Sequence, residues 1–206
     1  VSAAMTAGAR AWQRMLSGRR LDLLDPSPLD VEITDIAHGL ARVARWNGQT
    51  RGDHAFSVAQ HCLVVEEIFT RLEESPAEAR QMALLHDAPE YVIGDMISPF
   101  KSVVGGGYKA VEQRLEAAIH LRFSLPAHAS RALKTLIKKA DTIAAYFEAT
   151  ELAGFSMTEA RKFFGQPRGI TREMLPIEPM PALEAQQRFL DRFHALEAER
   201  AAGGRA

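Results

Sequence analysis

The sequence holds a single cysteine, Cys62, among its 206 residues. One thiol forms no internal disulfide, which excludes a stapled secreted fold and any multi-cysteine zinc site. No stretch approaches the roughly 20 apolar residues of a membrane span, so a membrane partner is not expected. The stretch from Val1 to Gly18 lacks a basic region followed by a long apolar run. No secretory signal is therefore expected, and the chain is expected to be cytoplasmic. An excess of charge of either sign is also missing: 25 basic residues face 26 acidic ones, for a net charge of −1. That balance gives no broad basic surface, so a nucleic-acid polymer is not an expected partner. Alternating β-branched runs with hairpin turns are absent too, as are internal repeats. What is present is 47% hydrophobic and 25% charged residues, the balance of a globular chain with a sizeable core.

The periodicity predicts an almost entirely helical protein. Helices are expected over Ala3 to Leu16, Thr34 to Trp46 and Phe56 to Glu74. In the third, Val58, Cys62, Val65, Phe69 and Leu72 form a stripe that faces a core. Ser75-Pro76-Ala77-Glu78 reads as a helix start with a capping box. The helix after it places Ala79, Met82, Ala83 and His86 on one face. Further helices are expected over Tyr108 to Leu121, Ala127 to Leu152, Thr158 to Phe164 and Ala182 to Glu199. The stretch Gly165 to Pro181, with Pro167, Pro176, Pro179 and Pro181, reads as a surface loop.

Chemistry concentrates at His86-Asp87. Pro89 should stop or kink the helix there, which leaves Asp87 at the negative end of a helix dipole unless a cation compensates. Glu90 follows within one turn. His61 and Asp141 lie on inward faces of two other helices, and a bare carboxylate on an apolar face is costly unless paired, protonated or metal-bound. Two imidazoles and two carboxylates from three helices suit a divalent transition metal such as Mn, Co, Fe, Ni or Zn. Such an ion lowers the pKa of a bound water toward neutrality. On spacing alone a second reading stays open, with His61 and His86 as hydrogen-bonded core histidines and Asp87 and Asp141 capping helices or salt-bridged.

The motifs occur in a recognisable order: Arg45-Trp46, Ser57-Val58-Ala59-Gln60-His61, Ala83-Leu84-Leu85-His86-Asp87-Ala88-Pro89-Glu90, Gly94-Asp95, Ser98-Pro99-Phe100-Lys101 and Lys139-Ala140-Asp141. This pattern resembles the HD-domain metal-dependent phosphohydrolases, in the branch of the 5′-deoxynucleotidases and the phage dATP-hydrolysing triphosphohydrolases. The resemblance is strongest over residues 36–148 and implies an all-α HD-domain bundle, with residues 1–206 as one domain. It implies that His61, His86, Asp87 and Asp141 bind one divalent metal. Glu90 would handle the proton of the attacking water, and Asp95 would support it or hold the sugar hydroxyl. Arg45 and Lys101 would neutralise phosphate, and Trp46 would lie beside the sugar or base. The substrate would be a small nucleotide, probed first as a deoxynucleoside phosphate, with a signalling nucleotide or a silent metal- and nucleotide-binding regulator as alternatives. Relatives often carry Glu immediately before the first metal histidine. Here the residue is Gln60, which removes a carboxylate expected to support that ligand. Relatives are commonly homo-oligomers, and Leu183, Phe189, Leu190, Phe193 and Leu196 of the last helix would either join copies or close the core.

Three further features carry less. Gly105-Gly106-Gly107-Tyr108-Lys109 lacks the Gly-Lys-Ser/Thr ending of a phosphate loop. Ser98 and Lys101 share the spacing of some acyl-transfer enzymes without their other motifs. Cys62 lies on the core stripe and reads as an inert buried thiol. His54, seven residues before His61, is close enough in sequence to reach the mouth of a site.

Overall fold

The computed structural model describes residues 10–97 and 107–203. Lys101 and the Ser98-x-x-Lys101 pair, with Gly105 and Gly106, lie outside them. Eight α-helices are present among the described residues: α1 (Ile33–Leu40), α2 (Val58–Leu72), α3 (Ala77–Leu84), α4 (Glu90–Ile93), α5 (Gly107–Arg122), α6 (Arg131–Glu151), α7 (Met157–Phe164) and α8 (Ala182–Gly203). The architecture is the all-α bundle expected of an HD domain, with one small hairpin attached.

That hairpin corrects the first expected helix over residues 10–16; its earlier part, residues 3–9, lies outside the described residues. β1 (Trp12–Arg14) pairs antiparallel with β2 (Arg20–Asp22), with Gln13 opposite Leu21. Gly18 turns the chain with φ at +87°, a conformation that glycine alone adopts without strain. The turn is tied to α1, because the backbone N–H and hydroxyl of Ser17 both donate to the Asp35 carboxylate. Leu21 is fully buried in the core. Burial of one strand face and the Ser17 anchor thus outweigh helix propensity, which is a weak prior.

The second expected helix stops six residues early, at Leu40 rather than Trp46. The chain leaves α1 and pairs with itself. Arg45 N–H donates to the Phe56 carbonyl at 2.8 Å, and Val58 N–H donates to the Val43 carbonyl at 2.9 Å. Within the loop so closed, Trp46 and Asn47 adopt left-handed φ values of 55° and 51°. Such backbone costs on the order of 1–3 kcal/mol per residue and persists only where surroundings enforce it. Gly39 permits the approach of α4 to α1, since a Cβ there would stand 2.8 Å from Tyr91 Cβ. This contact fixes the turn that carries His86, Asp87 and Glu90.

α2 is the central helix. Ser57 caps it, accepting from Gln60 N–H, and it packs against α6, α3 and α8. One core cluster gathers α1, α3, α5 and α8 around its Val58, Ala59 and Cys62; a second gathers α6 and α7 around its Val65, Ile68 and Phe69. The capping box expected at Ser75 does not form. The helix begins one residue later than expected: Pro76 is the N-cap of α3, with no side-chain cap bond, which leaves Ser75 one position outside it. A complete capping box does form at Ser156 and Glu159, before α7.

The proline-rich stretch from Gly165 to Pro181 is more than a surface loop. Ile170, Leu175 and Ile177 are buried in the second cluster around a short 3₁₀ turn (Arg172–Met174). Phe189, Phe193 and Leu196 of α8 are buried and close the first cluster, whereas Leu183 is 71% exposed. No helix among the described residues is long and apolar enough to cross a membrane.

Candidate metal centre

The fold gathers His61, His86 and Asp141 into one group and sets Asp87 against both imidazoles. His61 lies in the first turn of α2, held by its N–H bond to the Ser57 carbonyl at 3.0 Å. His86 and Asp87 sit in the tight turn after α3; His86 is therefore not on the helix face that the spacing predicts, whereas Asp87 follows the end of that helix as expected. Asp141 comes from the middle of α6. His61 Nε2 is 3.4 Å from Asp87 Oδ2 and 3.4 Å from Asp141 Oδ1. His86 Nε2 is 3.3 Å from Asp87 Oδ2, and the two imidazole rings are 5.2 Å apart.

The donor set fits a divalent cation. His61, His86 and Asp141 each present one ligand atom within 4.8 Å of the others. Both Nε2 atoms are buried without a hydrogen-bond partner. Both Nδ1 atoms are engaged, that of His61 with Glu148 Oε1 at 2.5 Å and that of His86 with the Ala83 carbonyl at 2.9 Å. An Nδ1–H that donates to an acceptor leaves a lone pair on Nε2, the tautomer a metal requires. Orphaned buried acceptors facing two carboxylates are costly without a cation between them.

Glu148 joins the candidate site, and the sequence did not point to it. It lies seven residues after Asp141, two turns along the same inward stripe of α6, and is fully buried. That spacing was the available signal: a second carboxylate on an apolar face. Its Oε2 accepts from Trp46 Nε1 at 2.9 Å and from the Arg45 guanidinium at 3.3 Å. Burial alone would raise its pKa, yet the charges of His61 and Arg45 pull it down to about 2. Glu148 therefore supplies the supporting carboxylate that Gln60 does not. Gln60 has another task. Its amide donates to the Glu178 carbonyl at 2.9 Å and accepts from Met180 N–H at 3.2 Å, pinning the proline-rich stretch beside α2.

The electrostatics are tightly coupled. Burial and the Arg45 charge both work against protonation of His61, but Glu148, Asp141 and Asp87 outweigh them and raise its pKa well above 6.5. His86 is raised likewise, chiefly by Asp87 against the effect of burial. Burial would raise Asp87, but the facing imidazoles hold it well below the usual carboxylate range. The same carboxylates that favour positive charge on the imidazoles would favour a cation placed between them.

A profile of the 5′-deoxynucleotidase YfbR-like family matches residues 36–193. The chain belongs to that family. An uncharacterized protein of Rhodobacter capsulatus is 57% identical over 188 residues, covering 91% of this chain and 96% of that protein. The uncharacterized YfdR protein of Escherichia coli is 30% identical over 168 residues, covering 81% of this chain and 85% of its own length. Membership of the YfbR-like family implies a phosphohydrolase acting on nucleotides.

Around the centre of this YfbR-like chain, Arg45 and Asp95 form an ion pair at 3.2 Å, with their side chains 14% and 6% exposed. Two of the five guanidinium N–H donors remain after the bonds to Asp95 and Glu148. Trp46 packs on Phe155 and Phe164, with ring centroids at 5.6 and 6.1 Å. Glu90 is 2% exposed at the start of α4. Beside His86, Asp87 and Asp141 opens a cavity of about 290 Å³, bounded by α5 and α6. Lys109, Lys134 and Lys138 border it, and Lys138 Nζ lies 2.7 Å from Asp141 Oδ2. Of these three, the sequence marks Lys109 only as the end of the glycine run, and Lys134 and Lys138 do not stand out in it. His54 is exposed and does not line the cavity.

Proposed function

We propose that the protein is a metal-dependent phosphohydrolase of deoxynucleoside phosphates. The observation that carries this reading is the pair of orphaned imidazole Nε2 atoms, both pinned at Nδ1 and both facing carboxylates. His61, His86, Asp87 and Asp141 would hold one divalent ion of Mn, Co, Fe, Ni or Zn. When bound, that ion supplies an electrophile for phosphate and acidifies a water. The chain supplies the rest. Arg45, clamped flat between Asp95 and Glu148, offers its two remaining N–H groups to phosphate oxygens, a planar arrangement suited to bidentate contact. Asp95 is a positioning residue for Arg45. Glu90, buried one turn after Asp87, takes and returns the water proton. Trp46, whose indole N–H shares the Glu148 carboxylate with Arg45, is assigned to the sugar, and Lys101 would add positive charge. The reading covers residues 1–206 as one cytoplasmic, homo-oligomeric domain.

The test is a panel of nucleoside mono- and triphosphates and signalling nucleotides, run with Mn or Co, with metal content measured by elemental analysis. Wild type should hold one divalent ion per chain and prefer deoxynucleotides. Asp87→Ala should lose the metal. Glu90→Ala should keep it and lose about 10²–10⁴-fold in turnover, the range of a general acid–base group. Equal metal in wild type and Asp87→Ala would sink the assignment.

A further inference from the structure

We propose that the outer face of the β1–β2 hairpin is a docking surface for an anionic lipid bilayer, with Leu16 entering the membrane and Arg10, Arg14 and Arg20 meeting headgroup phosphates. The inference goes beyond the hydrolase reading and does not depend on it. Strand alternation gives the hairpin two faces. Leu21 points inward and is fully buried. Trp12 and Arg14 of β1 point outward, with Asp22 and Arg20 opposite them in register. The guanidinium carbons of Arg10, Arg20 and Arg14 stand 4.6, 4.6 and 5.5 Å from the centre of the Trp12 ring, within cation–π range.

Charge on this face is not balanced within the chain. Arg14 and Arg20 are directly opposed across the strands, a like-charge pairing that destabilises a sheet. Among the described residues, Arg19 pairs with Glu32 at 2.9 Å, but Arg10, Arg14 and Arg20 form no ion pair. The hydrogen bonds of Arg10 and Arg14 go to carbonyls, those of Trp12 and Gly18. Asp22 spends an oxygen on the N–H groups of Leu24 and Asp25, and those two bonds lower its pKa more than Arg20 does. Residues 1–9, 98–106 and 204–206 hold no Asp or Glu, so no acidic side chain outside the described residues is available to neutralise the three arginines. An external anion is.

The tip of the hairpin says which anion. Gly18 N–H closes the turn on the Met15 carbonyl at 3.1 Å, which leaves Leu16 at the end. At 76% it is the most exposed large apolar side chain among the described residues. A nucleic acid or a free phosphate would satisfy the arginines but offers the leucine no apolar phase. A bilayer takes all three residue types: leucine in the acyl region, arginine at the phosphates, and tryptophan between them, where one end is apolar and the other wet. Peripheral contact of this kind needs no apolar span.

The experiment is co-sedimentation of the full chain with vesicles of phosphatidylcholine alone, and of phosphatidylcholine mixed with phosphatidylglycerol. Binding should require the anionic lipid and weaken as salt rises from about 0.15 M to about 1 M. Arg20→Glu gives Arg14 an opposite charge across the strands. It should hold or raise the melting temperature yet cut partitioning by about twenty-five-fold, at roughly five-fold per unit of charge. Leu16→Ser leaves the charge unchanged and should cut partitioning by about ten-fold or more. No binding to the mixed vesicles, equal binding to both kinds, or binding that Leu16→Ser leaves intact would overturn the proposal. A lower melting temperature in Arg20→Glu with unchanged vesicle binding would reduce the arginines to braces for Trp12. A single-stranded oligonucleotide bound in place of vesicles, weakened by Arg20→Glu and indifferent to Leu16→Ser, would give this face to nucleic acid instead.

Discussion

His61 and Glu148 meet at 2.5 Å, Nδ1 to Oε1, in a fully buried contact between α2 and α6. The other oxygen of Glu148 serves Trp46 and Arg45. One carboxylate thus orients a candidate metal ligand and the two residues assigned to the substrate. A disturbance at Glu148 should reach both.

The first prediction follows. Glu148→Gln keeps the shape but removes the charge that favours the Nδ1–H tautomer of His61. Loss of such an outer partner costs about 10–100-fold in metal affinity. Metal titration of the variant against wild type checks it. The Arg45 guanidinium would also lose a counter-charge, so KM for nucleotides should change in the same variant. Unchanged metal affinity would show that Glu148 serves packing alone.

A second prediction concerns pH. His61 and His86 have pKa values raised above 6.5 in the folded protein. A raised histidine pKa stabilises the fold fully below the unfolded value, and that contribution is lost as pH rises through the folded value. The metal-free protein should therefore melt at lower temperature as pH climbs above about 6.5. Metal binding demands neutral imidazoles and releases protons, so loading with Mn or Co should flatten that slope. At the acid end the sign reverses. Asp87 and Glu148 are depressed, and their contribution is present above about pH 4 and lost below it. Thermal melts with and without chelator test both limbs. A chelated protein whose stability rises between neutral and alkaline pH would contradict the protonated pair.

The helices and the order of the site motifs were legible because both rest on local signals. Stripes such as Val58, Cys62, Val65 and Phe69 mark a face wherever it packs, and His86-Asp87 announces itself by adjacency. What was not legible depends on long-range contacts. The Trp12–Asp22 hairpin forms because Ser17 finds Asp35 and Leu21 finds the core, neither of which is a local property. The helix from Thr34 stops at Leu40 because Val43 and Arg45 pair with Phe56 and Val58. Gln60 reads as a lost carboxylate until Glu148, 88 positions later, is seen against the same histidine.

The third prediction tests that exchange. Gln60→Glu would give the chain the residue that relatives often carry. Here it would remove the N–H donated to the Glu178 carbonyl and bury a carboxylate at a position 1% exposed. Losing a buried partner costs about 1–3 kcal/mol, so the variant should be less stable and gain no metal affinity. Denaturant melts and metal titration decide it. Tighter metal binding at unchanged stability would mean that Gln60, not Glu148, occupies the supporting position.

The last prediction separates Arg45 from Trp46. Lysine keeps the charge of Arg45 but has one nitrogen, which cannot bridge Asp95 and Glu148 and still meet phosphate in two parallel bonds. Arg45→Lys should lower kcat/KM for every nucleotide by about ten-fold or more, the scale of a charge-assisted hydrogen bond, and leave the deoxy-to-ribo ratio alone. Trp46 acts through shape and support. Its backbone is held at φ 55°, a strained position for a bulky residue, and its indole is fixed by Phe155, Phe164 and Glu148. Trp46→Ala removes ring packing and a hydrogen bond, and a large aromatic truncated in packed surroundings costs about 3–5 kcal/mol. Trp46→Phe keeps most of the packing and narrows the obstruction. If the indole excludes the 2′-hydroxyl, Trp46→Phe should shrink the preference for deoxynucleotides while the protein stays folded. Comparing kcat/KM for one deoxynucleotide and its ribonucleotide across the three variants decides between the roles. An unchanged ratio in Trp46→Phe, with lowered stability in Trp46→Ala, would leave Trp46 as an anchor that holds Glu148 and the loop, and would place sugar discrimination elsewhere.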